Sequence, residues 1–203
     1  MMELNRINGL VELFFKKYEE KSFVQNQPFL KWLKAEKNDA LTWKQVQNNI
    51  VILSQYLKKN LSKGDRCVLL SENRPEWFIA DIAIMNSGGV TVPLFTTYSE
   101  KDYEYIINDC KPKICIISSN NQFKKIKKFI SNETIILSFE KFSKEIISLQ
   151  NILEDYSEQA IPAFNDYNKE IRRKNLACII YTSGTTGNPK GVMYKPWRNF
   201  IKL

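Results

Sequence analysis

Lys190 closes a run of residues, Tyr181-Thr182-Ser183-Gly184-Thr185-Thr186-Gly187-Asn188-Pro189-Lys190-Gly191, that holds three of the chain's seven glycines within eight positions. Gly184, Gly187 and Gly191 permit backbone angles that aim successive N–H groups at an anion. The hydroxyls of Thr182, Ser183, Thr185 and Thr186 add donors, and Lys190 adds a mobile full charge suited to a polyphosphate. Spacing excludes the two commoner phosphate loops. A Walker loop places its lysine directly after the second glycine, whereas Asn188 and Pro189 intervene here, and no G-x-G-x-x-G is present. The alternative reading of the same residues is a glycine-rich surface turn ending in a solvated lysine.

These groups bind and orient; none is assigned as nucleophile or general base, so the catalytic residues are unknown. Histidine is absent, which removes His-based triads and imidazole metal ligands. Cys67, Cys110, Cys115 and Cys178 are scattered beside aliphatic residues with no C-x-x-C pair, the pattern of buried reduced thiols rather than a zinc site. No metal ligand set is assigned.

A loop of this kind needs a strand to carry it, and the apolar run Leu176 to Ile180 reads as that strand. Upstream the chain alternates. Residues 10 to 21 form a helix with Leu10, Phe14 and Tyr18 on one stripe, lying either on the domain or against a membrane surface. Residues 28 to 34 read as a strand, 35 to 40 as a polar turn, and Thr42 with Gln45 as a capping box opening a helix to Lys59. Arg66 to Leu70 is a short buried strand, and Pro75 pre-sets a helix that Gly88-Gly89 ends before a strand at Val90. Ser99 and Asp102 resemble a second capping box, followed by strands at 114–117 and 134–137 with a basic helix at 122–130 between them. Ile146 to Leu153 suggests a short helix, and Lys195 begins another after the loop. The result is an α/β class: strand-helix units forming a mostly parallel sheet with helices on both faces. Ser71 to Arg74 lie past a strand's carboxyl end, where open parallel sheets bind ligands, although Asn73 and Arg74 read first as cap and surface residues.

The run Tyr181 to Gly191 resembles the phosphate-binding signature of the adenylate-forming (AMP-binding) superfamily, which includes acyl- and aryl-CoA synthetases, nonribosomal peptide adenylation domains and luciferases. Ser71-Glu72-Asn73-Arg74-Pro75-Glu76-Trp77, with the run from Gly88 to Thr97, is similar to the long-chain acyl-CoA synthetase branch. The resemblance extends from Leu10 to Met193 and is weakest between Glu140 and Arg173. It implies an ATP-dependent fatty acid–CoA ligase with ATP, Mg²⁺ and CoA as substrates and cofactors. In that scheme Thr182, Ser183, Gly184, Thr185, Thr186 and Gly187 wrap the β- and γ-phosphates, and Lys190 steadies the departing pyrophosphate. Several family segments have no match in the sequence: the aromatic-Gly-x-Thr-Glu segment, the ribose-binding aspartate, the hinge and the lysine-bearing lid. Residues 1–203 are therefore expected to be a partial N-terminal AMP-binding domain, inactive by itself. The family's Thr-His-Arg-Asn after the loop is replaced by Lys195-Pro196-Trp197-Arg198-Asn199.

Composition sets the remaining bounds. With 43% apolar and 26% charged residues over 203 positions, the chain suits a globular domain, and no apolar run approaches the length that spans a bilayer. The N-terminus lacks an apolar core with a cleavage site, so the expected location is cytoplasmic, with the inner membrane face as a peripheral alternative. A net charge of +8 is densest at Lys124-Lys125-Ile126-Lys127-Lys128, where apolar residues at helical spacing indicate a solvated basic helix face rather than a nucleic-acid reader. Expected partners are small molecules, with peripheral membrane contact and no nucleic acid. Two alternatives to the ligase stay open: a stand-alone nucleotide- or anion-binding module, and a basic interaction protein using the Lys124–Lys128 face.

Overall fold

The computed structural model describes residues 9–20, 25–32, 39–155, 175–182 and 189–195. Helix α1 (Leu10–Glu20) buries Val11, Phe14 and Phe15. The buried stripe is therefore rotated from the expected one, with Leu10 and Tyr18 only half-buried. Its apolar face packs inward: the Phe14 ring lies 5.7 Å from Phe78 and 5.9 Å from Trp43. Val11, Phe14 and Phe15 thus face the domain, as one of the two expected orientations of the helix has it. Strands β1 (Pro28–Lys31) and β2 (Ala40–Thr42) form a separate antiparallel pair. The second of these was not legible in the sequence, where Ala40 falls in a polar turn.

Helix α2 (Trp43–Asn60) begins at the expected capping box, with the Gln45 N–H donating to Thr42 Oγ1 and the Thr42 N–H donating to Gln45 Oε1. Its Ile50, Leu53 and Leu57 are fully buried, each worth roughly 1.5–3 kcal/mol of transfer free energy. Strand β3 (Arg66–Leu70), helix α3 (Pro75–Asn86) and strand β4 (Val90–Leu94) follow as a βαβ crossover between parallel neighbours, the chain turning after the helix through Gly88 at φ +88°. Helix α3 is buried on nearly every side, as a crossover helix sandwiched between the sheet and α2 must be.

Helix α4 (Glu100–Cys110) opens at Ser99 with the second capping box and closes on Lys111 at φ 45°. Strand β5 (Ile114–Ile117) leads to α5 (Asn120–Ile126), which tightens into a 3-10 turn at Lys127–Phe129 instead of running on to Ile130. Strand β6 (Ile135–Ser138), strand β7 (Ile147–Ser148), helix α6 (Leu149–Asp155), strand β8 (Cys178–Thr182) and strand β9 (Lys190–Tyr194) complete the elements.

The main sheet has the order β7-β6-β5-β3-β4-β8-β9, parallel from β7 to β8, with β9 antiparallel at the edge. Alternation along the strands divides the core between the two faces. Cys67, Leu69, Ile114, Ile116 and Leu137 point to the layer of α1, α2, α3 and α6. Val68, Leu70, Val92, Leu94, Cys115 and Ile117 point to the layer of α4 and α5. The expected α/β class is the observed one. Among the described residues no helix is long and apolar enough to cross a membrane.

Candidate functional site

The two ends of the glycine-rich run sit side by side. Thr182 is the last residue of β8 and Lys190 the first of β9, and they are register partners across the antiparallel pair. Because β8 is parallel to the body of the sheet, this places both at its carboxyl edge, the side on which open α/β sheets bind ligands. Both side chains are exposed. Ser183, Gly184, Thr185, Thr186 and Gly187 lie outside the described residues, as does the helix expected after Lys195.

Two sequence expectations change here. Tyr181 and Thr182 belong to the strand, not the loop, so the strand runs two residues further than its apolar core suggests. Gly191 does not turn an N–H group towards an anion: it is an extended β9 residue whose small size admits the Tyr181 ring. A Cβ at Gly191 would stand 3.2 Å from Cε1 and Cζ of that ring. Strand β9 itself went unread, because KGVMY is too short and too exposed to show an apolar period.

Tyr181 is buried at 3% exposure and anchors the edge. Its phenol donates to the Asp109 carboxylate on the last turn of α4, and its carbonyl accepts from Tyr98 Oη at 3.0 Å. Burial, and then the hydrogen bond to Asp109, push the Tyr181 phenol well above its ordinary value. Tyr103 Oη donates to the Phe95 carbonyl at 2.8 Å, holding the turn between β4 and α4 from which Tyr98 reaches. Sequence reading missed this set; a hydroxyl in an otherwise apolar strand was its only signal.

Further along the same edge a carboxylate-rich network ties β3 to β5 and β6. Ser118 Oγ and Gln122 Nε2 donate to the two Glu72 oxygens, each at 2.5 Å. Burial works to raise the Glu72 carboxyl, but these hydrogen bonds, its backbone and the charge of Arg74 outweigh it and leave it below its ordinary value. Arg74 grips Glu76 through Nε and Nη2 at 2.9 Å, reaches Glu140 through Nη1 at 2.9 Å, and lies over the Phe139 ring. Trp32 Nε1 donates to Glu76 as well. Arg74 occupies the N-cap position of α3 but makes no side-chain cap hydrogen bond; its guanidinium is committed to two carboxylates instead, so the cap and surface reading holds for its position only.

The basic helix is partly neutralised within the fold. Lys125 Nζ donates to the Thr96 carbonyl at 2.7 Å, Lys128 pairs with Glu100, and Lys127 lies over the Phe123 ring. All four cysteines are free, and burial pushes their thiols up, Cys110 to about 12 and Cys178 to about 11, so they stay protonated and unreactive. Among the described residues no three His, Cys, Asp or Glu side chains converge on a common point. A cleft of about 380 Å³ between Lys111, Lys113, Phe129 and Glu133 opens at the amino edge of the sheet, away from Thr182 and Lys190.

A model of the AMP-binding enzyme family matches residues 16–203. A long-chain-fatty-acid–CoA ligase of Rattus norvegicus is 30% identical over 149 residues, covering 68% of this chain and 20% of the relative. Fatty acyl-CoA synthetase A of Dictyostelium discoideum is 32% identical over 149 residues, covering 69% of this chain and 22% of its own. The chain thus spans about a fifth of the length of the curated relatives it matches. Among solved structures, the anthranilate CoA ligase AuaEII in complex with anthranoyl-AMP superimposes with a TM-score of 0.76 at 20% identity, over 96% of this chain and 36% of that one. The luciferase-like enzyme of the mealworm Zophobas morio gives 0.76 at 18% identity, over 96% and 44%. With a family match over nearly the whole length, the chain belongs to the AMP-binding enzyme family.

Proposed function

We propose that the chain supplies the polyphosphate-binding part of an ATP-dependent acyl-CoA ligase that activates a long-chain fatty acid as its adenylate and passes it to CoA. The observation that carries this is the pairing of Thr182 with Lys190 at the carboxyl edge of the sheet, which brings a hydroxyl and a full positive charge to the two ends of one glycine-rich segment. The similarity to long-chain-fatty-acid–CoA ligases supports the choice of acid.

In the first step the fatty carboxylate oxygen bonds to the α-phosphorus of ATP, the α–β phosphoanhydride breaks, and pyrophosphate leaves. In the second the CoA thiol sulfur bonds to the acyl carbon, the acyl C–O bond to the phosphate breaks, AMP leaves with that oxygen, and the thiol proton passes to solvent. Two anions must meet in the first step, so the protein's task is to hold them and offset their repulsion. Thr182, Ser183, Gly184, Thr185, Thr186 and Gly187 would hold the β- and γ-phosphates by hydroxyl and backbone N–H donation, and Lys190 would balance the charge that collects on the leaving pyrophosphate. Magnesium would arrive with the nucleotide. Among the described residues no three His, Cys, Asp or Glu side chains converge, so no ligand set for the ion is assigned to this chain.

Titration of the chain with Mg-ATP and with inorganic pyrophosphate, followed calorimetrically, tests the reading. Millimolar or tighter binding that weakens about tenfold in Lys190→Ala, while the melting midpoint stays put, supports it. Binding indifferent to Lys190 overturns it. Pyrophosphate release dependent on added fatty acid would extend the reading from binding to ligation.

A further inference from the structure

We infer that Tyr98 and Asp109 are positioning residues for the glycine-rich segment, acting together through Tyr181 to fix where its two flanking strands stand. The inference rests on the phosphate-binding reading of that segment.

Main-chain pairing thins at the seam between β4 and β8. Strands β3 and β4 pair along five successive residues, from Arg66 with Val90 to Leu70 with Leu94. Strand β8 pairs with β4 at one position only, Thr91 with Cys178, reinforced by the Thr91 N–H donating to the Ala177 carbonyl at 3.0 Å. From Ile179 to Thr182 the backbone of β8 runs beside β4 without a ladder, and its partner is β9, an edge strand. Among the described residues, main-chain pairing with β4 therefore stops short of the end of the β8–β9 hairpin that bears Thr182 and Lys190.

Tyr181 supplies what the ladder does not. Its carbonyl, unclaimed by β4, accepts from Tyr98 Oη, and its own hydroxyl reaches Asp109 on α4. Its ring is the bed on which Gly191 of β9 lies, so the strands on both sides of the segment take their position from one side chain. Tyr98 is in turn set by edge-on packing against Phe95 and Tyr103, with ring centroids 5.3 and 6.1 Å away. Apolar packing alone would keep the ring buried but would let the strand slide. Two directed hydrogen bonds from different elements define a single position. A phenylalanine would fill the same volume without the cost of burying a phenol, and the presence of the hydroxyl marks position as what is gained.

Asp109→Ala, Asp109→Asn and Tyr98→Phe test this by hydrogen–deuterium exchange across residues 178–195, thermal melting, and titration with inorganic pyrophosphate. Asp109→Ala and Tyr98→Phe are expected to raise exchange in that stretch about tenfold, leave α2 and α3 as protected as before, and weaken pyrophosphate binding by about the same factor. Asp109→Asn, which keeps an acceptor for the Tyr181 hydroxyl, is expected to hold both readouts within about threefold of the parent. Unchanged exchange in Tyr98→Phe overturns the inference, and that variant removes a single oxygen, so it decides should Asp109→Ala fail to fold. Raised exchange with unchanged pyrophosphate affinity also overturns it, since the strands would then be loosened without consequence for the ligand. If the parent chain binds no pyrophosphate, the phosphate-binding reading fails while the exchange result still judges the positioning.

Discussion

Gly191 lies with its Cα against the ring of Tyr181, so close that a methyl group there would meet Ile179 Cγ2 at 3.0 Å and the ring carbons Cε1 and Cζ at 3.2 Å. The three atoms belong to side chains packed in the α4–α5 layer of the core, and they cannot all yield. Strand β9 must move instead, carrying Lys190 away from Thr182. Gly191→Ala is expected to cost roughly 1–2 kcal/mol in urea unfolding. Pyrophosphate affinity should fall with it, although Gly191 has no ligand role of its own. A variant as stable as the parent would mean that the edge strand tolerates the shift.

Arg74 ties the start of α3 to the segment after β6 through one guanidinium, and its planar fork suits the bidentate grip on Glu76. Arg74→Ala should lower stability by roughly 1–2 kcal/mol, the pair being only partly buried and so partly screened. Arg74→Lys should recover less than half of that loss, because a point charge cannot serve both Glu76 oxygens and Glu140 together. Thermal melts of the two variants side by side check this; full recovery by lysine would mean that charge alone matters at the site.

The alternation of strands and helices, both capping boxes and the placement of the glycine-rich run after a buried strand were all legible in the sequence. Each rests on local signals: Thr42 and Ser99 three residues before Gln45 and Asp102, Pro75 at a helix start, aliphatic runs of four or five residues. What was not legible depends on distant partners. Strands β2 and β7 have three and two residues, too few for periodicity, and β9 is exposed along nearly all its length; each exists because a neighbouring strand pairs with it. Gly191 reads as a turn residue until the Tyr181 ring is placed beside it. The clasps of Glu72 with Gln122 and of Tyr181 with Asp109 join residues 50 and 72 positions apart, which no spacing rule reaches.

The capping boxes give a sharper test of local signals. In each, a hydroxyl satisfies one N–H that the first turn would otherwise leave without a partner. At Ser99 the Asp102 carboxylate also stands at the positive end of the α4 dipole. Thr42→Ala and Ser99→Ala are each expected to cost about 1 kcal/mol, and as the sites lie on different helices with no shared partner the double variant should cost the sum. Chemical denaturation of all three variants measures this, and a double variant no worse than either single one would show that the two helices do not unfold together.

Asp81 and Glu72 pull the pH dependence of stability in opposite directions. Asp81 is half-buried on α3, and desolvation raises its carboxyl to about 6 despite the Thr91 hydroxyl, which lowers it. Its unfolded value is near 4, so the folded state is favoured by protonation. The stability it allows is fully present below about pH 4 and is lost as pH rises through about 6. Glu72 is depressed, so its contribution is present above the ordinary glutamate value and is lost as pH falls below it. Lowering the pH from 7 to 5 should therefore stabilise the chain through Asp81, before Glu72 protonates and reverses the gain. Asp81→Asn should raise stability at pH 7 by roughly 1–3 kcal/mol, have little effect at pH 4, and remove the slope between them. Glu72→Gln should leave that slope in place and flatten the acid limb instead. Urea midpoints of the parent and both variants at half-unit steps from pH 3 to 8 would separate the two groups, and an Asp81→Asn curve parallel to the parent's would show that the carboxyl is ionised in the folded state at every pH above 4.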